Sequence, residues 1–232
     1  MRSALDGIDD WGLAGTRPGQ YRSDLAADEA AVEVLTGSGL GVMSEESGEH
    51  AVDREVVVVV DPVDGSTNAS RGLPWYATSL CALDANGPFV ALVVNQATGE
   101  FFEAVRGAGA QVSGRPAVPS GQTEVSRALL ALNGYPPSHL GWKQYRSLGA
   151  AALDLCGVAS GTLDGYVDCT RHSLGPWDYL GAWLVCREAG ALVVDAYGAE
   201  LVTRDPGQRR TPVAAATPGL LDGLLRARVT FL

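Results

Sequence analysis

Val56-Val57-Val58-Val59-Val60-Asp61-Pro62-Val63-Asp64-Gly65-Ser66-Thr67-Asn68 is the most informative run in this chain. Five successive β-branched apolar residues predict a strand buried on both faces. The strand is expected to end abruptly at Asp61. Asp61 and Asp64 then stand three positions apart beside a buried strand, and a buried carboxylate without a partner is costly. A hard cation offsets that cost, and Mg²⁺ takes carboxylate and carbonyl oxygens. Pro62 stiffens the turn, and the Val63 carbonyl is a further candidate ligand. Gly65 permits close backbone approach. Ser66, Thr67 and Asn68 open a short helix over 66–71 whose free N–H groups suit an anion. Gly72 and Pro74 close it. The same residues also read as a plain capped turn. The valine strand before them and the hydroxyl cluster after them favour a metal-and-phosphate site.

Toward the N-terminus, Leu25, Val32 and Leu35 share one face of a helix over residues 24–35. Gly37, Gly39 and Gly41 end it. A short apolar piece then runs from Gly41 into Glu45-Glu46-Ser47-Gly48, while residues 1–22 lack a pattern. Toward the C-terminus, short strands over 76–83, 89–95, 100–105 and 110–112 alternate with Gly-containing turns and predict an antiparallel meander. Residues 129–132 add a strand before Pro136-Pro137. Beyond residue 140, helices over 149–160 and 176–189 alternate with strands over 165–168 and 191–195. A last strand, 213–216, leads to a helix opened by Thr217-Pro218. The expectation is one compact unit with an antiparallel-sheet half, residues 1–136, and an α/β half, residues 137–232, sharing one site.

The chain has 232 residues, 46% of them hydrophobic, enough for a substantial core. Its net charge is −10 with no basic stripe, which excludes a phosphate-backbone binder. A small anionic substrate would need bound cations on such a surface, although acidity alone also serves solubility. No apolar run is long enough to span a membrane. Cys81, Cys156, Cys169 and Cys186 form no C-x-x-C pair, and Cys156 and Cys186 sit in apolar helical patterns as core residues. No signal peptide is expected, and a cytoplasmic setting is the default.

Two further acids complete a constellation: Glu45, after the short apolar segment, and Asp178, in Trp177-Asp178 behind Pro176. Each alone reads as a solvated or helix-capping acid. Together with Asp61–Asn68 and Glu188-Ala189-Gly190 they resemble the inositol monophosphatase superfamily. Ser79-Leu80, the segment from Asn95 to Glu100 and the segment from Arg106 to Ala110 resemble that family's sheet, and the likeness runs over about residues 24–226. The resemblance implies a layered αβαβα sandwich of the sugar-phosphatase type, of mixed α+β and α/β character. It implies Mg²⁺-dependent, lithium-sensitive hydrolysis of a small phosphate monoester by a homodimeric enzyme, with light scattering as the check on the dimer. Glu45, Asp61, the Val63 carbonyl, Asp64 and Asp178 would hold two or three Mg²⁺ ions. Glu45 and Ser66, which stands where the family usually has threonine, would orient the attacking water. Gly65, Ser66 and Thr67 would hold the phosphate. Gly149, Ala150 and Ala151, with Asp64, Asp168 and Asp178, would meet the rest of the substrate. Asp28 is not expected to be a ligand, and His172, in the loop 169–177, reads as a bystander.

The substrate implied is an inositol, sugar or polyol monophosphate. Histidinol phosphate, fructose 1,6-bisphosphate and phosphoadenosine phosphates are the family's other substrates. Two rivals remain. A haloacid-dehalogenase-type phosphatase would form a covalent aspartyl-phosphate, but its paired acids are separated by one residue and Asp61 and Asp64 by two. A non-catalytic metal- or phosphate-binding relative would show no turnover with intact metal binding.

Overall fold

The computed structural model describes residues 2–8 and 10–228. Helices α1 (Arg2–Asp6) and α2 (Arg22–Gly37) come first. Strands β1 (Gly41–Ser44), β2 (Gly48–His50) and β3 (Val57–Asp64) follow, then the short helix α3 (Ser66–Arg71). The meander consists of β4 (Ala77–Asp84), β5 (Gly87–Asn95), β6 (Phe101–Val105), β7 (Gly109–Val112) and β8 (Arg115–Pro116). The second half contains β9 (Leu129–Asn133), β10 (Gln144–Arg146), α4 (Ala151–Ala159), β11 (Gly165–Asp168), α5 (Pro176–Ala189), β12 (Leu192–Asp195), β13 (Pro212–Ala215) and α6 (Pro218–Arg228).

Two sheets form. The eight-stranded sheet has the order β2-β1-β3-β4-β5-β6-β7-β8 and the five-stranded sheet the order β10-β9-β11-β13-β12. Helices α1 and α2 cover one face of the first sheet, α4 and α5 lie between the sheets, and α6 covers the far face of the second. This is the five-layer αβαβα arrangement. The valine run explains itself in that stack. Val57 and Val59 pack in the inner cluster with α4 and α5, while Val58 and Val60 pack with Ala31 and Val42 on the α2 side. A strand sandwiched between two helical layers needs apolar residues at every position, not alternate ones. Helix α5 has the complementary property: Trp177, Tyr179, Leu180, Ala182, Leu184, Val185 and Cys186 are all buried around its circumference.

Several expectations change. The first sheet is antiparallel except for β1 and β3, which run parallel with Ser44 opposite Val60. Strand β3 continues through Asp61 to Asp64. Its pairing with β4 shifts between Asp61↔Ser79 and Asp64↔Ala77, so Pro62 and Val63 face the single residue Thr78 in a bulge. Pro62 has no N–H for the ladder, and its carbonyl instead accepts from the Thr78 hydroxyl at 2.7 Å. Strand β9 pairs with β10 and β11, so the change of sheet falls before Leu129 and not at residue 136. The α2 stripe also differs: Leu25 is exposed at 38%, and Asp24, Ala27, Asp28 and Ala31 form the buried face. The small alanines let α2 lie close on β3, and the same spacing carries two acids inward.

Candidate active site

The parallel pairing of β1 with β3 builds the first half of the site. Ser44 lies beside Val60, so the next residue, Glu45, lies beside Asp61, and the Glu45 N–H donates to the Val60 carbonyl at 3.1 Å. Helix α5 supplies the third acid. Pro176 occupies its first turn and the Gly175 N–H donates to Asp178 Oδ2 at 2.6 Å, while Oδ1 of Asp178 accepts no hydrogen bond among the described residues. Carboxylate oxygens of Glu45, Asp61 and Asp178 come within 4.8 Å of one another. Asp61 is 1% exposed, and its Oδ1 accepts from the Val63 N–H at 3.0 Å inside the bulge.

Asp64 connects the halves of the molecule. Its Oδ2 accepts from the Ala152 N–H at 2.7 Å and so caps the first turn of α4. Gly65 follows with φ 85°, and a Cβ there would lie 3.0 Å from the Trp75 carbonyl oxygen and 3.1 Å from both Ala150 Cβ and the Gly149 oxygen. Both the left-handed backbone and the lack of space require glycine. Asn68 donates to the carbonyls of Trp75 and Leu148, each at 2.7 Å, which ties α3 to the segment before α4. Gly149, Ala150 and Ala151 are thereby held against Gly65.

Four carboxylic acids share this desolvated space, and their ionisation reflects it. Burial, followed by the charges of Asp178 and Glu46, pushes Glu45 up to about 8, against the opposing pull of Arg17. Burial pushes Asp64 up to about 8, partly offset by the Ala152 N–H. Burial and Asp64 push Asp178 up to about 8, with the Gly175 N–H and Arg209 opposing. Asp61 is raised well above the carboxylate range by burial and then by Glu45 and Asp64. So many anions cannot coexist there unless a cation joins them. An all-oxygen donor set of this kind fits a hard divalent ion such as Mg²⁺.

A cavity of about 640 Å³ opens on this cluster, lined among others by Arg17, Glu45, Val63, Ser66, Trp177 and Arg209. Such a volume suits a small-molecule ligand. Val63 lines it although its residue is only 4% exposed and packs with Leu5, Ala27 and Ala69. Thr67 is exposed, with its hydroxyl 3.2 Å from that of Tyr21. Asp168 is not at the cavity. It is 0% exposed, and its carboxylate accepts from Asn133, the Thr170 N–H and Ser173. Those bonds hold the loop after β11. His172 stacks on Tyr197, with ring centroids 5.2 Å apart. Asp28 accepts from Ser44 at 2.5 Å and is outside the acidic triad.

The residue missed in the sequence is Asp24. It is 3% exposed, accepts from the Tyr21 N–H at 2.9 Å and lines the same cavity as Ser66. Burial pushes it up to about 6. Nothing local in the sequence marks it, and only the tertiary fold brings it to the cavity that Ser66 also lines. Glu46 is the other anion of this rim, accepting from Arg17 at 2.5 Å and from Gln20.

Known proteins resemble this chain in sequence and fold. The chain is 31% identical to fructose-1,6-bisphosphatase of Pyrococcus furiosus over 207 residues, covering 87% of this chain and 80% of that one. It is 35% identical over 196 residues to Nus factor SuhB of Escherichia coli strain K12, covering 75% and 71%. Among solved structures, inositol monophosphatase from Anabaena (Nostoc) sp. superposes with a TM-score of 0.80 at 25% identity, covering 99% of this chain and 90% of that one. The model of the inositol monophosphatase family matches residues 23–231. With nine-tenths of its length matched and its acidic triad set between β1, β3 and α5, this chain belongs to the inositol monophosphatase family.

Proposed function

We propose that this protein is a Mg²⁺-dependent phosphomonoesterase acting on a small sugar or polyol phosphate. The observation that carries the reading is the convergence of Glu45, Asp61 and Asp178 within 4.8 Å of one another, with Glu45 lining a cavity also lined by Ser66. Glu45, Asp61, Asp64, Asp178 and the Val63 carbonyl would hold Mg²⁺. When bound, the metal supplies charge neutralisation for the phosphoryl oxygens and makes water acidic enough to attack near neutral pH.

The chain's own residues orient that water and take its proton. Ser66 lines the cavity together with Asp24, and its hydroxyl oxygen is the acceptor we assign to the attacking water. Asp24, pushed up to about 6, is a competent proton acceptor close to neutral pH. Glu45 faces the same cavity and completes the orientation. Gly65, Ser66 and Thr67, at the start of α3, are the residues we assign to the phosphate, and Gly149, Ala150 and Ala151 border the departing alcohol.

Ser66→Ala is expected to lower kcat by roughly a hundredfold or more, the usual scale for a lost proton-handling group, with Mg²⁺ affinity kept. Ser66→Thr should retain activity because the hydroxyl stays. Steady-state kinetics with Mg²⁺ titration check this, and a parallel loss in both variants would remove the hydroxyl from the mechanism.

The reading also carries lithium inhibition and a homodimer over from the family. A phosphate-release screen across sugar, polyol, histidinol and nucleotide phosphates, with and without Mg²⁺ and Li⁺, tests the whole. Absence of turnover on every substrate, with Mg²⁺ still bound, would favour a non-catalytic relative. One relative's name, Nus factor SuhB, keeps that outcome in view.

A further inference from the structure

We propose that Trp75 and Asp154 are positioning residues, a buried latch that fixes the two segments assigned to the substrate, residues 65–67 and residues 149–151, against each other. This rests on the phosphomonoesterase reading and adds to it a pair that touches neither metal nor substrate.

Helix α3 is only six residues long, too short to hold its own place. Its position is set from outside. Asn68 donates to the Trp75 carbonyl at 2.7 Å, and that same carbonyl oxygen lies 3.0 Å from where a Gly65 Cβ would stand. The backbone of Trp75 is therefore the wall against which the start of α3 is set. Residues 72–76 belong to no helix or strand, so the wall itself needs an anchor. The indole supplies it. Its Nε1–H donates to Asp154 Oδ1 at 2.9 Å, and Asp154 lies in the first turn of α4, two residues beyond Ala152.

These bonds close a circuit. Asp64 holds the Ala152 N–H, Asp154 holds Trp75, Trp75 holds Asn68, and Asn68 lies on the helix that begins just after Asp64 and Gly65. Neither Trp75 nor Asp154 lines the cavity. Asp154 is 1% exposed, and the indole is the only side-chain partner of its carboxylate among the described residues. A buried carboxylate is a costly way to fill space that a leucine would fill as well. What it supplies is direction. Tryptophan brings a large apolar body, packed on the inner core cluster, and one N–H that can be aimed. With the latch open, residues 65–68 lose their fixed distance from α4. Glu45, Asp61 and Asp178 stay in place, because β1, β3 and α5 carry them. A misplacement of about 1 Å at such a site is enough to cost on the order of a hundredfold in rate.

The test reads the affinity for inorganic phosphate in excess Mg²⁺, and the affinity for Mg²⁺ alone, by calorimetry. It compares wild type, Asp154→Leu, Asp154→Asn, Trp75→Phe and the double variant Trp75→Phe/Asp154→Leu, with melting curves for each. Trp75→Phe leaves a buried carboxylate without its donor, so the double variant, with both polar groups gone, is the folded comparison. Phosphate affinity is expected to fall roughly tenfold or more in Asp154→Leu and in the double variant. Mg²⁺ affinity should stay within about twofold of wild type, as for a site that shares no partner with the latch. Asp154→Asn, whose amide oxygen still accepts the indole N–H, should recover most of the loss. A merely structural pair would lower the melting temperature and leave phosphate affinity as in wild type, which would overturn the proposal. Parallel losses of phosphate and Mg²⁺ affinity would also overturn it, as would a loss in Asp154→Asn as large as in Asp154→Leu. Turnover judges the hydrolase reading separately. If wild type binds phosphate but hydrolyses no ester, that reading fails, and the same affinity pattern would still uphold the latch. If wild type binds no phosphate, the latch itself is overturned.

Discussion

Asp61→Asn is expected to lower kcat by about a thousandfold, while leaving the metal-free protein at least as heat-stable as wild type at pH 8. The two halves of this result come from one residue. Asp61 is the most enclosed of the acids, 1% exposed, with Glu45 and Asp178 gathered around it. An amide has nearly the same shape and its oxygen still accepts the Val63 N–H, so the bulge in β3 keeps its internal bond. What disappears is an anionic oxygen at the centre of the cluster. Mg²⁺ binds neutral amides more weakly than carboxylates, and losing the metal removes both the activated water and the phosphoryl charge neutralisation. Removing the same carboxyl also relieves its repulsion with Glu45 and Asp64, which raises the pKa of Asp61 in the intact protein. Phosphate release and thermal melting in a chelator measure the two effects separately. Retention of more than a tenth of kcat, or a marked fall in the chelated melting point, would remove Asp61 from the metal-binding role.

How far these features were legible in the sequence depended on whether they were local. The valine run announced a strand covered on both sides, because an uninterrupted β-branched segment has no face for water. Helices over 66–71 and 176–189 matched their observed limits because Gly72 and Pro176 punctuate them locally. The extension of β3 to Asp64 was hidden because Pro62 reads as a stop. In the fold its missing N–H falls at a bulge, where the ladder skips a residue anyway. Asp24 was hidden for a different reason. Large side chains define a helix face in a sequence, and they pointed to Leu25; the buried face of α2 is instead drawn in Asp and Ala, which look polar or neutral. Arg209 and Arg17 could not be read at all. Their places depend on two loops that the fold brings to one cavity from opposite ends of the chain. Asp168 is legible as a strand-end acid, but the loop that engages both of its oxygens is placed by the tertiary fold.

Without divalent ions, the melting temperature is expected to fall as pH rises from 5 to 8.5, and Mg²⁺ is expected to reverse that trend. Glu45 is raised from 4.5 to about 8, and Asp64 and Asp178 from 3.8 to about 8. The folded protein therefore retains protons that the unfolded chain releases near pH 4. A raised carboxyl stabilises the fold fully below the unfolded pKa and loses that contribution as pH climbs through the folded value, so stability falls across the interval between them. One such group, held up by about four pH units, is worth roughly 5–6 kcal/mol over the whole window. At ~2–4 °C per kcal/mol for a chain of this size, the fall is on the order of 10 °C. Asp84 and Asp205 act in the opposite sense, since Arg106 lowers the first and the Gly207 N–H the second. Both groups are already ionised at pH 5 in folded and unfolded chains alike, so they add no slope in this range. Mg²⁺ must displace the retained protons to bind, so its affinity and its stabilising effect grow with pH. Melting curves at half-unit intervals, in chelator and in excess Mg²⁺, should diverge steadily toward pH 8.5. A chelated curve that stays flat or rises over that range would mean that the four acids are ionised without a metal, and the crowding on which the site assignment rests would be wrong.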